Sequence, residues 1–361
     1  MNFRLGELFC GPGGIALGAL SATVKKKTGQ FSISHAWATD YDEDTCETYR
    51  DNICPVNRKS VVCKDIRQLK IETLEKISKI DALAFGFPCN DFSVVGEQKG
   101  IDGVYGPLYR YAIDVLEHFQ PSWFLAENVG GLRNSNEGKA FSQILRDLTD
   151  AGYVPVPHLY KFDKYGVPQA RHRIIIIGIR KDLTTVFRVP APPEVVWDNS
   201  CKTAILTPPI AEGTPNHELT RQSPSVIERL QYIKPGQNAF TAKLPKHLEL
   251  NVKGVKMSHI YRRLDPTRPA YTITGSGGGG TYVYHWEENR ALTNRERARL
   301  QTFPDKFVFS GSSQSVRKQI GMAVPPMGAQ IICQAVLKSF AGVKYPHVEP
   351  NISMDERVPL F

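Results

Sequence analysis

Five apolar runs punctuate the first half of the chain: "LGELF" (5–9), "SISHAWAT" (32–39), "DALAFGF" (81–87), "SWFLAENV" (122–129) and "RIIIIGI" (173–179). Runs this short and this apolar suit strands buried on both faces, because a strand with one wet face alternates. Helical segments such as 110–119 and 139–150 lie between them. Strands covered on both sides and joined by helices require a mostly parallel sheet between helical layers, so an α/β class follows. At 361 residues there is room for such a domain and a smaller second one. Near Lys181 the texture changes, and as far as Lys256 prolines are frequent and aliphatic runs vanish. The expected organisation is a first domain of residues 1–183 and 315–361, with 184–314 forming the second. The apolar helical tail from 315 to 340 is expected to pack back onto the first.

The first run leads into "LFCGPGGIALG", Leu8 to Gly18, which reads as a strand, a glycine-rich turn and the start of a helix. Nucleotide-binding units are built this way, because turn N–H groups and a helix N-terminus face the ligand. Gly11, Gly13 and Ala16 also satisfy G-x-G-x-x-G/A, the dinucleotide fingerprint. At this level NAD and other ligands of the same turn both remain open.

Charge and cysteine usage narrow the setting. Lys and Arg number 45 against 36 Asp and Glu, a formal net charge of +9. That balance favours an anionic partner, nucleic acid above all. Locally, Lys243 to Arg268 holds seven Lys/Arg against Glu249 and Asp265. The cysteines at 10, 46, 54, 63, 89, 201 and 333 include no C-x-x-C pair, so neither a disulfide framework nor a zinc ribbon is supported. A reduced, cytoplasmic monomer without metal is expected. No leader pattern or long apolar span is read in the sequence, so no membrane association is expected either.

Candidate chemistry gathers at strand ends, where open α/β sheets bind ligands. In "FGFPCNDFSVVGEQKG" a strand ends, Pro88 fixes a turn and Cys89 follows, a thiol able to act as a nucleophile. "AENVG" brings Glu127 and Asn128 to the end of another strand, a costly position for a carboxylate without a purpose or partner. "QARHRIIIIGIR" sets Gln169, Arg171 and Arg173 at every second position, a spacing that predicts one shared face converging on an anionic or carbonyl group. Farther on, "AYTITGSGGGGTYVYHW" predicts two β-rich runs around a glycine loop. "RALTNRERARLQTFP" predicts a helix with Thr293 as N-cap and Glu296 three residues later.

In this order the segments resemble the DNA cytosine-5 methyltransferase family almost end to end. "FCGPGG" is similar to its F-x-G-x-G-G motif and "FPCNDFS" to its catalytic Pro-Cys motif. "ENV" and "QARHR" resemble the Glu-Asn-Val and Q-x-R-x-R motifs. "RALTNRERARLQTFPDKF" and "QIGMAVPP" resemble the late helix motif and the closing one. The resemblance implies a Rossmann-like S-adenosylmethionine-dependent methyltransferase domain with a smaller target-recognition domain. Its implied substrate is double-stranded DNA and its implied setting restriction–modification.

The roles it implies are specific. Cys89 adds to C6 of a flipped cytosine, Glu127 supports N3, and Arg173 with Arg171 faces O2. The loop from Asn90 to Gly106 is the implied lid. For the methyl donor, Phe9 stacks on adenine while Gly11, Gly13 and Gly14 admit the methionine part. Asp40 holds the ribose with Tyr41 beside the adenine, Asp65 and Ile66 cover its amino edge, and Pro88 and Leu108 close the other side. Asn90, Ser93 and Gln169 are expected to face DNA, as are Arg262, Arg263, Arg268, Thr272 and Thr274 in the second domain. The glycines from Gly277 to Gly280 are read as a groove-entering loop or a plain hairpin tip.

Two positions depart from the family pattern. Met322 stands where an Asn is usual, and Asn90 follows the nucleophile where Gln is usual. Competing readings fit less of the chain. An NAD-dependent oxidoreductase leaves Cys89, Glu127 and the arginines unused. An amino-methyltransferase needs a [DNS]-P-P-[YFW] tetrapeptide, whereas the chain has only "APPE", "TPPI" and "VPPM". An RNA-directed relative and a non-catalytic DNA-binding relative are the nearer alternatives.

Overall fold

The computed structural model describes residues 1–27, 29–87, 106–130, 139–194, 197–250, 259–275 and 281–353. The chain forms two compact units. The first comprises Met1–Lys161, His172–Pro192 and Val324–Phe361, and the second Phe162–Arg171 and Pro193–Ala323.

The first unit begins with β1 (Asn2–Leu8), α1 (Gly14–Ser21), β2 (Thr23–Lys26), β3 (Gly29–Asp40) and α2 (Glu43–Asn52). It continues through β4 (Val61–Cys63), α3 (Ile71–Ile77), β5 (Ala82–Phe85), α4 (Gly106–Phe119), β6 (Trp123–Val129), α5 (Lys139–Asp150) and β7 (Tyr153–Lys161). Strand β8 (Gln169–Ala170) belongs to the other unit, and β9 (His172–Arg180) returns to this one. The sheet order is β2-β3-β1-β5-β6-β9-β7, with β4 beside β3. Strands β3, β1, β5 and β6 run parallel, while β9 lies antiparallel to both β6 and β7. From β1 the chain builds outward in both directions, to β3 on one side and β5 on the other. That reversal opens a crevice at the carboxyl ends of these strands.

All five apolar runs are strands. Ile174 to Ile177 are each at most 2% exposed, which is why β9 reads as a continuous run. Helices α3, α4 and α5 cover one face of the sheet through Leu74, Ile113, Leu116, Ile144 and Leu148. On the other face α1 meets α10 (Pro326–Phe340) so closely that a Cβ at Gly18 would stand 2.3 Å from the Pro326 carbonyl oxygen. Strand β7 carries Pro155 and Pro157, and Pro ordinarily argues against a strand. It survives because β7 is the last strand of the sheet and pairs only with β9.

The second unit has little regular structure. It holds β8, α6 (Cys201–Leu206), α7 (Pro224–Gln231), β11 (Ala270–Tyr271), α8 (Asn294–Leu300) and α9 (Ser313–Met322). Two-residue strands β10 (Val189–Pro190) and β12 (His347–Val348) pair in the first unit. The expected β-rich runs are shorter than predicted. Among the described residues they give only β11, which pairs with β8, and isolated bridges from Tyr284 to Arg263 and Ala291. Much of the hydrogen bonding of loop carbonyls comes instead from buried guanidinium groups. Arg295 donates to the carbonyls of Pro215, Pro304 and Phe307 at 2.7–3.0 Å. Arg263 donates to those of Leu230, His285 and Glu288. Helix α8 starts as predicted: Thr293 accepts from the Glu296 N–H, and Glu296 accepts from the Thr293 N–H.

The domain boundaries differ from those expected. Residues 162–171 join the second unit because β8 pairs there with β11, and α9 stays in it because α9 packs on α8. Only from Val324 does the tail return to the first unit, through α10. By length and composition, residues 313–340 match a membrane span that sequence reading did not expect. The stretch is two helices separated by Ala323–Pro325, and 72% of its most apolar window is buried.

Candidate active site

The glycine turn is shaped by positive backbone angles. Phe9, Gly11 and Gly13 have φ of 53°, 55° and 95°. A side chain at Gly13 would collide with Ile53, 2.8 Å away, whereas a Cβ at Gly11 would meet nothing within 4 Å. The first glycine position therefore faces open space, and the second is required by packing. Asp40, at the end of β3, organises the turn. One carboxylate oxygen accepts from the Gly11 N–H at 3.0 Å, and the other from the Tyr41 and Asp42 N–H groups at 2.8 and 3.2 Å. Burial pushes the Asp40 carboxyl upward while these three N–H donors pull it down.

Around this crevice, Ile66 and Leu108 are buried in one cluster with Leu8, Phe85 and Phe87, and Phe9 packs against it. Tyr41 is 67% exposed. Asp65 accepts from the Arg67 N–H and pairs with its guanidinium at 2.5 Å, which lowers its carboxyl to about 2. Gly14 is the first residue of α1. Pro88, Cys89, Asn90 and Ser93, the rest of the Asn90–Gly106 lid segment up to 105, and Gly277 to Gly280 lie outside the described residues.

Beneath the turn lies a buried polar chain that sequence reading missed. Glu7 on β1 is 1% exposed, and one of its carboxyl oxygens has no hydrogen-bond partner. The other meets the Tyr49 hydroxyl at 3.1 Å. Tyr49 in turn meets His35 Nδ1 at 3.2 Å, and His35 Nε2 meets Ser60 at 2.7 Å. Burial pushes the Glu7 carboxyl up to about 8 against the opposing pull of Tyr49, and pushes His35 and His158 down to about 4. His285 is lowered as well, again chiefly by burial.

These groups give stability a maximum near pH 6.5. Below it the unfolded chain protonates histidines that the native state keeps neutral, and they outnumber the single proton that Glu7 holds. Stability therefore rises with pH up to that point. Above pH 6.5 the native state alone holds the Glu7 proton, so stability falls by about 2 kcal/mol on the way to pH 8. Thermal melts from pH 5 to 9 should show this maximum, and Glu7→Gln should flatten the alkaline limb. An alkaline limb unchanged in that variant would remove Glu7 as its cause.

At the far end of β6, Glu127 accepts from Arg173 Nε on β9 at 2.8 Å, and both side chains are less than 15% exposed. They meet diagonally, since Glu127 lies opposite Ile175 and Val129 opposite Arg173. A second Arg173 nitrogen donates to the His172 carbonyl at 2.8 Å, so the guanidinium is oriented from two sides. Two neighbours complete this corner: Gly86, which the sequence did not single out, and Asn128, which the sequence already placed beside Glu127. A Cβ at Gly86 would stand 3.1 Å from Glu127 Oε2, so glycine leaves room for the carboxylate. Asn128 is buried and donates to the Phe87 carbonyl at 3.1 Å, tying β6 to the chain two residues before Cys89.

The expected convergence of Gln169, Arg171 and Arg173 does not occur, because the strand breaks at Arg171 and the chain changes unit there. Arg171 is fully buried and donates to the Ile273 and Gly321 carbonyls at 3.0 and 2.9 Å. Gln169, also fully buried, donates to Leu300 and Gln301 and accepts from the Ile273 N–H. Both side chains are committed to holding backbone and side-chain groups within the second unit. Arg263, 3% exposed and holding loop carbonyls, is corrected in the same way. Thr272 donates to the Ala170 carbonyl at 2.8 Å, and Thr274 is exposed. Arg262 lies 4.5 Å over the Tyr271 ring, and the Arg268 side chain is 80% exposed, 3.7 Å from Asp265. Met322 is 62% exposed.

A mixed sheet with a parallel centre and a topological switch, a glycine turn organised by an acid at the end of β3, and a Glu–Arg pair two strands from β1 define a methyltransferase-type α/β protein. Residues 3–338 match the family model described as C-5 cytosine-specific DNA methylase. The chain is 59% identical to the Type II methyltransferase M.BbvI of Brevibacillus brevis, covering 96% of this chain and 94% of that one. It is 39% identical to the Type II methyltransferase M.NgoFVII of Neisseria gonorrhoeae, over 93% and 86% of the two chains. In fold it is similar to an E. coli prophage protein described as a DNA modification methyltransferase, with a TM-score of 0.72, 22% identity, and coverage of 94% and 99%. This chain belongs to the C-5 cytosine-specific DNA methylase family and is a DNA (cytosine-5)-methyltransferase.

Proposed function

We propose that the chain methylates C5 of one cytosine within a short duplex sequence, as the modification enzyme of a restriction–modification system. S-adenosylmethionine is its methyl donor. The observation that carries this reading is the Glu127–Arg173 pair, set beside an Asn128 that braces the chain just before Cys89. The cofactor crevice fits the donor. Gly11 faces open space, Asp40 keeps lone pairs beyond its three N–H bonds for ribose hydroxyls, and exposed Tyr41 and part-buried Phe9 offer rings to adenine. Asp65, Ile66 and Leu108 supply the remaining wall. When bound, S-adenosylmethionine supplies the methyl group that C5 receives.

The protein's own part is to make C5 nucleophilic. The Cys89 thiolate forms a bond to C6 of the flipped cytosine, and electron density moves onto C5 and N3. Glu127 meets N3 and stabilises that charge, while Arg173, fixed by Glu127 and His172, holds O2. Once C5 is methylated its proton leaves to a base, and the sulfur–C6 bond breaks to return the thiolate.

Incubation with labelled S-adenosylmethionine and duplex DNA, followed by bisulfite sequencing, should reveal 5-methylcytosine within one short motif. Duplexes carrying 5-fluorocytosine at the target should trap a covalent adduct that Cys89→Ala does not form. Transfer to tRNA alone, or an undiminished adduct in the variant, would overturn the reading.

A further inference from the structure

The second unit carries 20 Lys/Arg against 12 Asp/Glu, whereas the whole chain has 45 against 36, so nearly all of the excess positive charge is there. Most arginines of the α8 region have partners. Arg290 pairs with Glu296 and Glu288, Arg295 holds three carbonyls, and Arg299 pairs with Asp305. Arg297 differs. It is 2% exposed, yet among the described residues nothing accepts from its guanidinium. Its helix α8 packs on α9, which carries Arg317, and the Arg317 charge acts on it. Arg317 lies 4.9 Å over the Tyr282 ring, with its Nε buried and unpartnered. Burial first, and then the Arg317 charge, push Arg297 down to about 10.

A buried guanidinium without an acceptor beside a half-buried one whose Nε is unpartnered is an arrangement that an anion would relieve. A guanine edge would offer acceptors but no charge. A phosphodiester offers two anionic oxygens matched to guanidinium forks.

We propose that Arg297 and Arg317 form a binding site for one backbone phosphate of the DNA substrate, between α8, α9 and the Tyr271 and Tyr282 rings. This rests on the reading of the chain as a DNA methyltransferase. It makes the pair an anchor for the duplex with no part in reading bases.

The test is DNA binding by fluorescence anisotropy as a function of salt, for wild type, Arg297→Gln and Arg317→Gln, on a methylatable duplex and a scrambled one. Each variant should weaken binding to both duplexes by about tenfold and reduce the slope of log K against log salt by about 0.9. Arg317→Gln, on the less buried residue, carries the test if Arg297→Gln fails to fold. An unchanged slope, or a loss confined to the methylatable duplex, overturns the proposal. A second arm compares melting in sodium sulfate and sodium chloride at equal ionic strength. Sulfate stabilisation that the variants lose while keeping the wild-type DNA slope would make this a free-anion site and would also overturn it. Absence of methyl transfer to any DNA by the wild type would instead sink the methyltransferase reading, and the binding slopes are read independently of it.

Discussion

Glu127→Gln is expected to leave a folded protein whose methyl transfer is slower by roughly 10²- to 10⁴-fold, the usual range for losing a positioned acid–base group. The substitution keeps the shape of the side chain and retains an oxygen to accept from Arg173 Nε, the contact seen at 2.8 Å. Gly86 still leaves room for the amide. Nothing in the packing then changes, so the melting temperature should stay within a few degrees and DNA affinity should hold. What is lost is the ability to share or donate a proton at N3 as charge develops there. Single-turnover transfer on a saturating duplex isolates that step from binding. A loss below threefold would remove Glu127 from the chemistry, and a large fall in melting temperature would make its role structural.

Arg171→Met is expected to do the opposite. Methionine fills much of the same volume but leaves the Ile273 and Gly321 carbonyls without the donor that holds them at 3.0 and 2.9 Å. Each orphaned buried acceptor costs about 1–3 kcal/mol, so a loss of about 3–5 kcal/mol is expected. The neighbouring packing has no slack, because a Cβ at Gly321 would stand 1.9 Å from the Gly275 nitrogen. Denaturant unfolding should show an early transition in the variant. If instead Arg171→Met kept wild-type stability and lost only activity, the scaffold role would be wrong and the base-facing role expected from the motif would return. Two arginines separated by one residue are thus assigned to different tasks, Arg173 to the site and Arg171 to the frame.

The contrast between these arginines shows where sequence reading stops. The five apolar runs, the glycine turn and the capped helix at Thr293 are local patterns, and each formed where expected because burial and capping act over a few residues. Period-two spacing is local too, and it predicted one face for Gln169, Arg171 and Arg173. That prediction assumed a continuous strand. The strand instead breaks at Arg171, where β8 pairs with β11 and β9 with β6, so partners distant in the chain divide the motif between two units.

By itself, the sequence determined the class of fold and the order of its motifs, because those depend on residue type and short-range spacing, and its resemblance to a family named the nucleophile, acid and cofactor residues to examine. Only the tertiary structure decided which polar side chains face a ligand and which hold the frame. The same guanidinium donates to a buried carbonyl or faces outward according to which backbone lies opposite. That is why Arg171 and Arg263 left the expected site, why Gly86 joined it, and why Arg297 stands out as a buried charge that finds no acceptor among the described residues.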